Sequence, residues 1–236
     1  MRIFSIIRSF TLTLAAMFLV SSAWGAGLTI PLGSTLNVNT GTLTVPGNIT
    51  NAGTLQTTSG TITLTGNWVN SGTFTSNTGT VTFNATSGTQ TLNTGGVANA
   101  FYNLTHNAAS TVQLTTNVID INNNFSNTSG TFDANSLNMT VGKNWTNSAT
   151  FTAGTNTVTF DGSGQSISGT TTFYNLTKQP AVADTLTLAD TTASAAGQTI
   201  TNILTLKGSS GNLLSLRSST NLTYAKISLQ AGGSQA

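Results

Sequence analysis

The stretch NWTNSATFTAGTNTVTFDG, residues 144–162, has three relatives in the same chain: NITNAGTLQTTSGTITLTG at 48–66, NWVNSGTFTSNTGTVTFNA at 67–85 and NFSNTSGTFDANSLNMTVG at 124–142. Each reads Asn, an apolar residue, any residue, Asn, small residues, Thr near Phe or Leu, a turn, and then an alternating run. In TITLT, TVTF and NMTV the alternation turns Ile, Val, Leu, Met and Phe one way and Thr the other, which is strand periodicity. The first two segments start 19 residues apart (67 − 48) and the last two 20 apart (144 − 124). A period of this size marks a solenoid, whose units complete their core only by stacking on their neighbours. The expected fold is therefore all-β, a parallel β-helix of about ten coils with roughly 20 residues each, forming a rod on the order of 50 Å long. The alternative is a pair of tandem β-sandwich domains, which a longer duplication would also permit.

That duplication relates 66–141 to 142–216. Trp68, Phe74, Val81 and Phe83 recur 77 positions later as Trp145, Phe151, Val158 and Phe160. Gln90 answers to Gln165, and the identical FYNLT segments begin at Phe101 and Phe173. Phe101, Leu104, Phe173 and Leu176 are expected in the core of equivalent coils, with Tyr102 and Tyr174 turned outward. Trp68 and Trp145 fit the same apolar phase and are expected to stack inside, rather than form an aromatic platform for sugar rings. The recurrent Asn48, Asn67, Asn124 and Asn144, with Asn51, Asn70, Asn127 and Asn147 three residues on, are expected at corners. Asn tolerates left-handed backbone, and its amide can bond to the Asn above and below in a ladder.

Composition narrows the class. The 236 residues are only 5% charged, with no Cys, against roughly 25% charged in average domains. Thr supplies roughly a fifth of the chain, and Thr, Asn, Ser and Gly are all weak helix formers. Residues 1–25 have a basic start (Arg2, Arg8), an apolar run and small residues at Ala23 and Gly25, the pattern of a cleaved signal peptide. The apolar run is too short for a spanning helix, so the mature chain, a repeat domain over 26–227 and a frayed or truncated tail over 228–236, is expected outside the cell with no membrane span. Without Arg2 and Arg8 the formal charge falls from +2 to zero. No basic cluster remains to hold nucleic acid.

Chemistry-bearing residues are sparse. The acids are five Asp, with no Glu, and Asp120, Asp133 and Asp161 form no cluster in sequence, whereas glycoside hydrolysis needs two carboxylates close together. Asp184 and Asp190 flank TLTLA and read as strand ends. His106, the one histidine, reads as a solvent-exposed loop residue. GSGQSISG (162–169) has neither the spacing of a nucleophile elbow nor the Lys of a phosphate loop. No catalytic residue, cofactor or metal is expected. Recurrent Thr-x-Thr (Thr61/Thr63, Thr80/Thr82, Thr157/Thr159) would give a regular hydroxyl array of the kind ice-binding surfaces use, though NLNTGGVANAFYNL and TNVIDINNNF interrupt it in sequence.

Residues 144–177, and GSSGNLLSLRSSTNLTYAKISLQAGG at 208–233, resemble the repeats of large secreted, adhesin-like bacterial surface proteins predicted to form right-handed parallel β-helices, with filamentous-haemagglutinin-like adhesins as their architectural analogue. The resemblance implies a non-enzymatic, exported stalk or adhesin-like scaffold. Its partners would be surface glycans, a host or neighbouring cell surface, and further repeats or a capping or anchoring module. The alternatives are a carbohydrate-active enzyme, polysaccharide lyase or hydrolase, on the same fold, and an ice-binding Thr-rich surface.

Overall fold

A computed structural model of the chain describes residues 11–13, 27–190 and 197–235. The expected signal peptide lies outside them except for Thr11–Thr13, a strand that pairs with Thr35–Asn37. The chain winds as a parallel β-solenoid of about 8 turns with about 21 residues per turn. Among the described residues every pairing between strands is parallel, and the one antiparallel contact is an isolated bridge between Ser209 and Asn212. This rules out tandem sandwiches, which are antiparallel. It also corrects ten coils to about eight. The early strands repeat every 19 residues (Thr42 opposite Thr61 opposite Thr80), but Thr80 pairs with Asn103 and Asp184 with Leu214, steps of 23 (103 − 80) and 30 (214 − 184). The longer steps use up chain, and about eight rungs at a spacing of ~4.8 Å give a rod about 40 Å long.

Three faces make the prism. The first is a seven-stranded sheet running from Leu28–Ile30 to Thr150–Thr152. The second begins as Thr11–Thr13, Thr35–Asn37, Thr54–Gln56 and Thr73–Thr75, and resumes at Ile119–Ile121 after a single 3-10 turn, Val97–Asn99. Asn99 bridges the gap: its Oδ1 accepts the Phe74 N–H at 2.7 Å. The third face is unbroken, nine strands from Thr42–Val45 to Leu214–Ser218. Close approach of the coils at the corners demands glycine; a Cβ on Gly162 would lie 1.7 Å from the Gly142 carbonyl oxygen.

The long duplication does not superpose face on face. Trp68 lies on the first face and Trp145 on the third; Val81 lies on the third and Val158 on the second. A shift of 77 residues at about 21 per turn is three full turns plus two further strands, so each repeated segment lands one face round the prism. Pairing is nevertheless conserved. Val81 sits opposite Leu104 and Val158 opposite Leu176, so TVTF partners NLT in both copies. The second copy belongs to a longer strand, Thr172–Lys178, with a bulge between Phe173 and Asn175. Phe101, Leu104, Phe173 and Leu176 are all fully buried; Phe101, bridged to Ile121, lies on the second face with Phe173 and Leu176, whereas Leu104 lies on the third.

Inside, like stacks on like. Trp68 packs on Phe74 and Phe101, and Phe125, Trp145, Phe151 and Phe173 form a continuous aromatic column. Trp68 and Trp145 have no exposed surface, which leaves Tyr102 and Tyr174, half-buried on the outer side, as the aromatic groups of FYNLT that reach solvent.

Candidate functional site

The outer surface of the third face carries the most regular feature. Strand register aligns Thr44, Thr63, Thr82, Thr105, Ser126, Thr146 and Ser168 in one column, a hydroxyl on each successive rung, with Thr82 itself buried. Beside it run Thr42, Thr61, Thr80 and Asn103. The rungs are ~4.8 Å apart and the two columns about 6.6 Å apart along the strands. The segments that interrupt Thr-x-Thr in sequence do not interrupt this array. NLNTGGVANAFY spends its extra residues on the first face and the 3-10 turn, and Asn103-x-Thr105 returns to the column in register. No strand from Thr42–Val45 to Gln165–Gly169 on this face carries an acidic or Lys/Arg side chain; the next strand, Asp184–Leu188, begins with Asp184, whose carboxylate meets buried Lys178, and Arg217 follows opposite Thr187.

Asparagines tie the rungs together, in two ladders. Asn67 N donates to Asn48 Oδ1 (2.8 Å), Thr91 N to Asn67 Oδ1 (2.8 Å), Asn144 N to Asn124 Oδ1 (3.2 Å) and Ser166 N to Asn144 Oδ1 (3.2 Å). The recurrent Asn before the aromatic thus caps the backbone of the coil above. None of the four has positive φ; the left-handed Asn are Asn39, Asn77 and Asn135, in other turns. The corner expectation is corrected on this point: an outward amide at a strand start can bond upward without left-handed backbone. The second ladder is internal. Asn51 Nδ2 donates to Asn70 Oδ1 at 2.7 Å, and Asn127 Nδ2 to Asn147 Oδ1 at 2.8 Å, all four residues being buried.

Two buried polar triads occupy corresponding places in the two long repeats. In the first, Gln90 Nε2 donates to the carbonyls of Gly66 (2.7 Å) and Leu64 (3.3 Å), and Ser110 Oγ lies 3.0 Å from Gln90 Oε1 and 3.2 Å from His106 Nε2. His106 is fully buried in the strand Asn103–His106, where sequence placed it in an exposed loop. Its side chain follows Leu104 by two residues and so points inward in the same phase. Asn127 Oδ1 is an acceptor, because Nδ2 of the same amide donates to Asn147 Oδ1 and the Thr150 carbonyl; Nδ1 of His106 therefore carries the proton across the 2.9 Å contact. The single Ser110 hydroxyl proton goes to Gln90 Oε1, so in the neutral ring Nε2 lies 3.2 Å from Ser110 Oγ without receiving that proton.

Burial lowers the His106 pKa, and the Asn127 bond offsets this only in part. With the folded value below the ordinary 6.5, the unfolded chain takes up the proton first as pH falls. The contribution is complete above pH 6.5 and disappears as pH falls from there to the folded pKa. The urea midpoint should therefore fall between about pH 7.5 and pH 5. A His106→Gln variant, whatever its absolute stability, should show a smaller fall over that range; an equal fall would assign the dependence to the carboxylates.

In the second triad Gln165 Nε2 donates to Val141 O (2.7 Å) and Lys143 O (3.1 Å), while its Oε1 accepts from Lys178 Nζ at 2.7 Å. Lys178, which follows FYNLT as His106 does, is fully buried; Nζ also donates to Gly162 O at 2.5 Å and lies 2.6 Å from Asp184 Oδ2. Asp184 stands before TLTL as Ser110 stands before TVQL. Burial pushes the Asp184 carboxyl up, but the Gly164 N–H, the Lys178 ammonium and the Thr185 N–H together outweigh it and hold it below its ordinary range. A Gln–His–Ser triad in one copy is thus a Gln–Lys–Asp triad in the other.

The remaining acids are dispersed. Asp133, on the first face, accepts from Gln113 Nε2 at 2.7 Å. Asp120, on the second face, is raised by burial and further by the charge of Asp161. Asp161, with Thr159, Thr177 and Gln179, borders a shallow groove of about 570 Å³. Among the described residues no three His, Cys, Asp or Glu side chains gather as a metal site, and no helix is long and apolar enough to cross a membrane. No family model matches the chain, nor does any curated protein or any solved structure.

Proposed function

We propose that the chain is an exported stalk or adhesin-like scaffold that holds its outer faces at a fixed distance and orientation, and that it does no chemistry. The observation that supports this best is the continuity of the core. One aromatic and aliphatic column fills the solenoid, and the outer faces offer shallow relief rather than a deep cleft of the kind enzymes use. Contact with a glycan or a neighbouring cell surface would come from many weak polar groups and from Tyr102 and Tyr174. The last coil carries Leu213, Leu216, Leu222 and Tyr224 exposed, and Leu216 and Tyr224 line a groove of about 390 Å³. That end is suited to a further coil or a capping module, since solenoid ends are normally covered. Surface labelling of intact producing cells, with an adhesion assay on cells lacking the chain, tests the reading. Labelled protein and reduced adhesion are expected; protein confined to the cell interior would overturn it. Polysaccharide turnover lost in Asp120→Asn would instead support an enzyme.

A second reading rests on the hydroxyl column. A flat, uncharged, rigid grid from Thr44 to Ser168 suits a lattice of ordered water, as at an ice surface. The purified chain should then show thermal hysteresis, reduced when Thr63→Tyr and Thr105→Tyr break the column. Absence of hysteresis in the unaltered chain would discard this reading.

A further inference from the structure

The triad at Lys178 holds a primary amine against a carboxyl group in a largely buried place. Lys178 has no exposed surface and the Asp184 side chain only 6%. Two of the three ammonium protons are taken by Gly162 O and Gln165 Oε1, and Nζ lies 2.6 Å from Asp184 Oδ2, a charge contact without hydrogen-bond alignment that leaves this oxygen no hydrogen-bond partner. The other carboxyl oxygen, Asp184 Oδ1, accepts two backbone N–H groups, from Gly164 at 2.8 Å and Thr185 at 2.7 Å. A pair of converging N–H donors on one oxygen of an acyl group is the arrangement that stabilises an oxyanion. We propose that Lys178 and Asp184 condense to an intramolecular amide, joining Nζ to Cγ with loss of one water.

The step balances within the site. The ammonium gives a proton to Oδ2, leaving a neutral amine and a carboxylic acid. The amine lone pair then attacks Cγ, and the carbonyl electron pair moves onto Oδ1 between the Gly164 and Thr185 N–H groups. A second proton passes from Nζ to the Oδ2 hydroxyl, which departs as water while the Cγ–Oδ1 double bond re-forms. One N–H remains, facing Gly162 O and Gln165 Oε1. No oxidant, metal or co-reactant is required. Holding the partners in contact supplies the effective concentration that separate molecules lack, about 10⁵–10⁸ M in well-oriented intramolecular cases. The ion pair opposes the first proton transfer, so the reaction is a slow, single maturation event. The first repeat provides the internal contrast: His106 and Ser110 stand in these places, and that triad has neither amine nor carboxyl to join.

The proposal is independent of the stalk reading, and its test is a mass measurement on the full chain. The protein is purified from its producing cells, denatured and digested with trypsin. An amidated Lys178 resists trypsin, so a peptide from Asn144 to Lys207 should appear, lighter than its sequence mass by one water, with fragmentation placing the loss between Lys178 and Asp184. Lys178→Arg and Asp184→Ala should each abolish that species. Cleavage after Lys178, giving two peptides of unaltered mass, overturns the proposal, as does an uncleaved peptide of full sequence mass or a water loss located elsewhere.

Discussion

In the chain whose Lys178 and Asp184 are still an uncondensed ion pair, replacing Lys178 by Ala is expected to lower the unfolding free energy by about 3–5 kcal/mol, the range for removing one partner of a buried ion pair. Truncation does more than delete a contact. Gly162 O and Gln165 Oε1 lose their Nζ donor, and Asp184 keeps its charge beside an empty space with no counter-ion. The 6% exposure of the Asp184 side chain admits some water to the carboxylate and favours the lower end of the range. Most of the cost belongs to the orphaned groups, so it should be reversible from the other side. Lys178→Met combined with Asp184→Ser removes both charges and imitates the neutral triad of the first repeat. The double variant is expected to be more stable than Lys178→Ala and close to the parent, as replacements of whole buried ion pairs often are. Urea midpoints of the three proteins decide the matter. A Lys178→Ala loss no larger than that of an exposed Lys207→Ala control would mean that the ion pair is open in solution.

The sequence made the solenoid legible because its period, its alternation and its lack of charge all point one way. The inward positions of Ile62, Val81, Phe132 and Val158 follow from counting every second residue. What escaped is of two kinds. Which face a segment occupies depends on the accumulated length of every preceding turn. The 23-residue step from Thr80 to Asn103 therefore moves everything after it, and no local motif records the sum. Polar residues in the inward phase escape as well, and His106, read as exposed, is buried. Gln90, His106, Gln165 and Lys178 each stand two residues from a core residue (Leu92, Leu104, Ile167 and Leu176), so alternation alone would have turned them inward. A His after NLT reads as the edge of a loop, which is where the sequence puts His106, because burying such a group is costly unless partners exist. The partners come from other coils: Asn127 for His106, Gly162 and Gln165 for Lys178. Only three-dimensional stacking brings them together. The Thr column escaped for a related reason, since Asn103-x-Thr105 and Ser126 keep the hydroxyl register without repeating the Thr-x-Thr letters.

Trp145→Ala is expected to cost about 3–5 kcal/mol, the range for emptying a buried aromatic site. The ring is packed on several sides: Phe125 at 4.2 Å between centroids, Phe151 at 4.9 Å edge-on and Phe173 at 5.2 Å. These neighbours belong to different coils, so the cavity would open at the junction on which stacking of one coil upon the next depends. Trp145 also donates Nε1–H to Thr171 Oγ1 at 3.0 Å, and the same hydroxyl accepts from Asn147 Nδ2 at 3.1 Å. Its counterpart Trp68 fills an equivalent aromatic site, but its buried Nε1 has no hydrogen-bond partner. The two tryptophans therefore separate packing from hydrogen bonding. Trp68→Phe removes a polar group that was already unpaired, and should cost less than Trp145→Phe by about 1 kcal/mol, the net worth of one hydrogen bond. Equal losses in the two Phe variants would show that the Thr171 bond contributes nothing beyond ring volume. A Trp145→Ala loss below about 1 kcal/mol would go further, because a continuous aromatic column cannot lose its central ring so cheaply, and the coils would then have to be held chiefly by their backbone ladders and asparagine stacks.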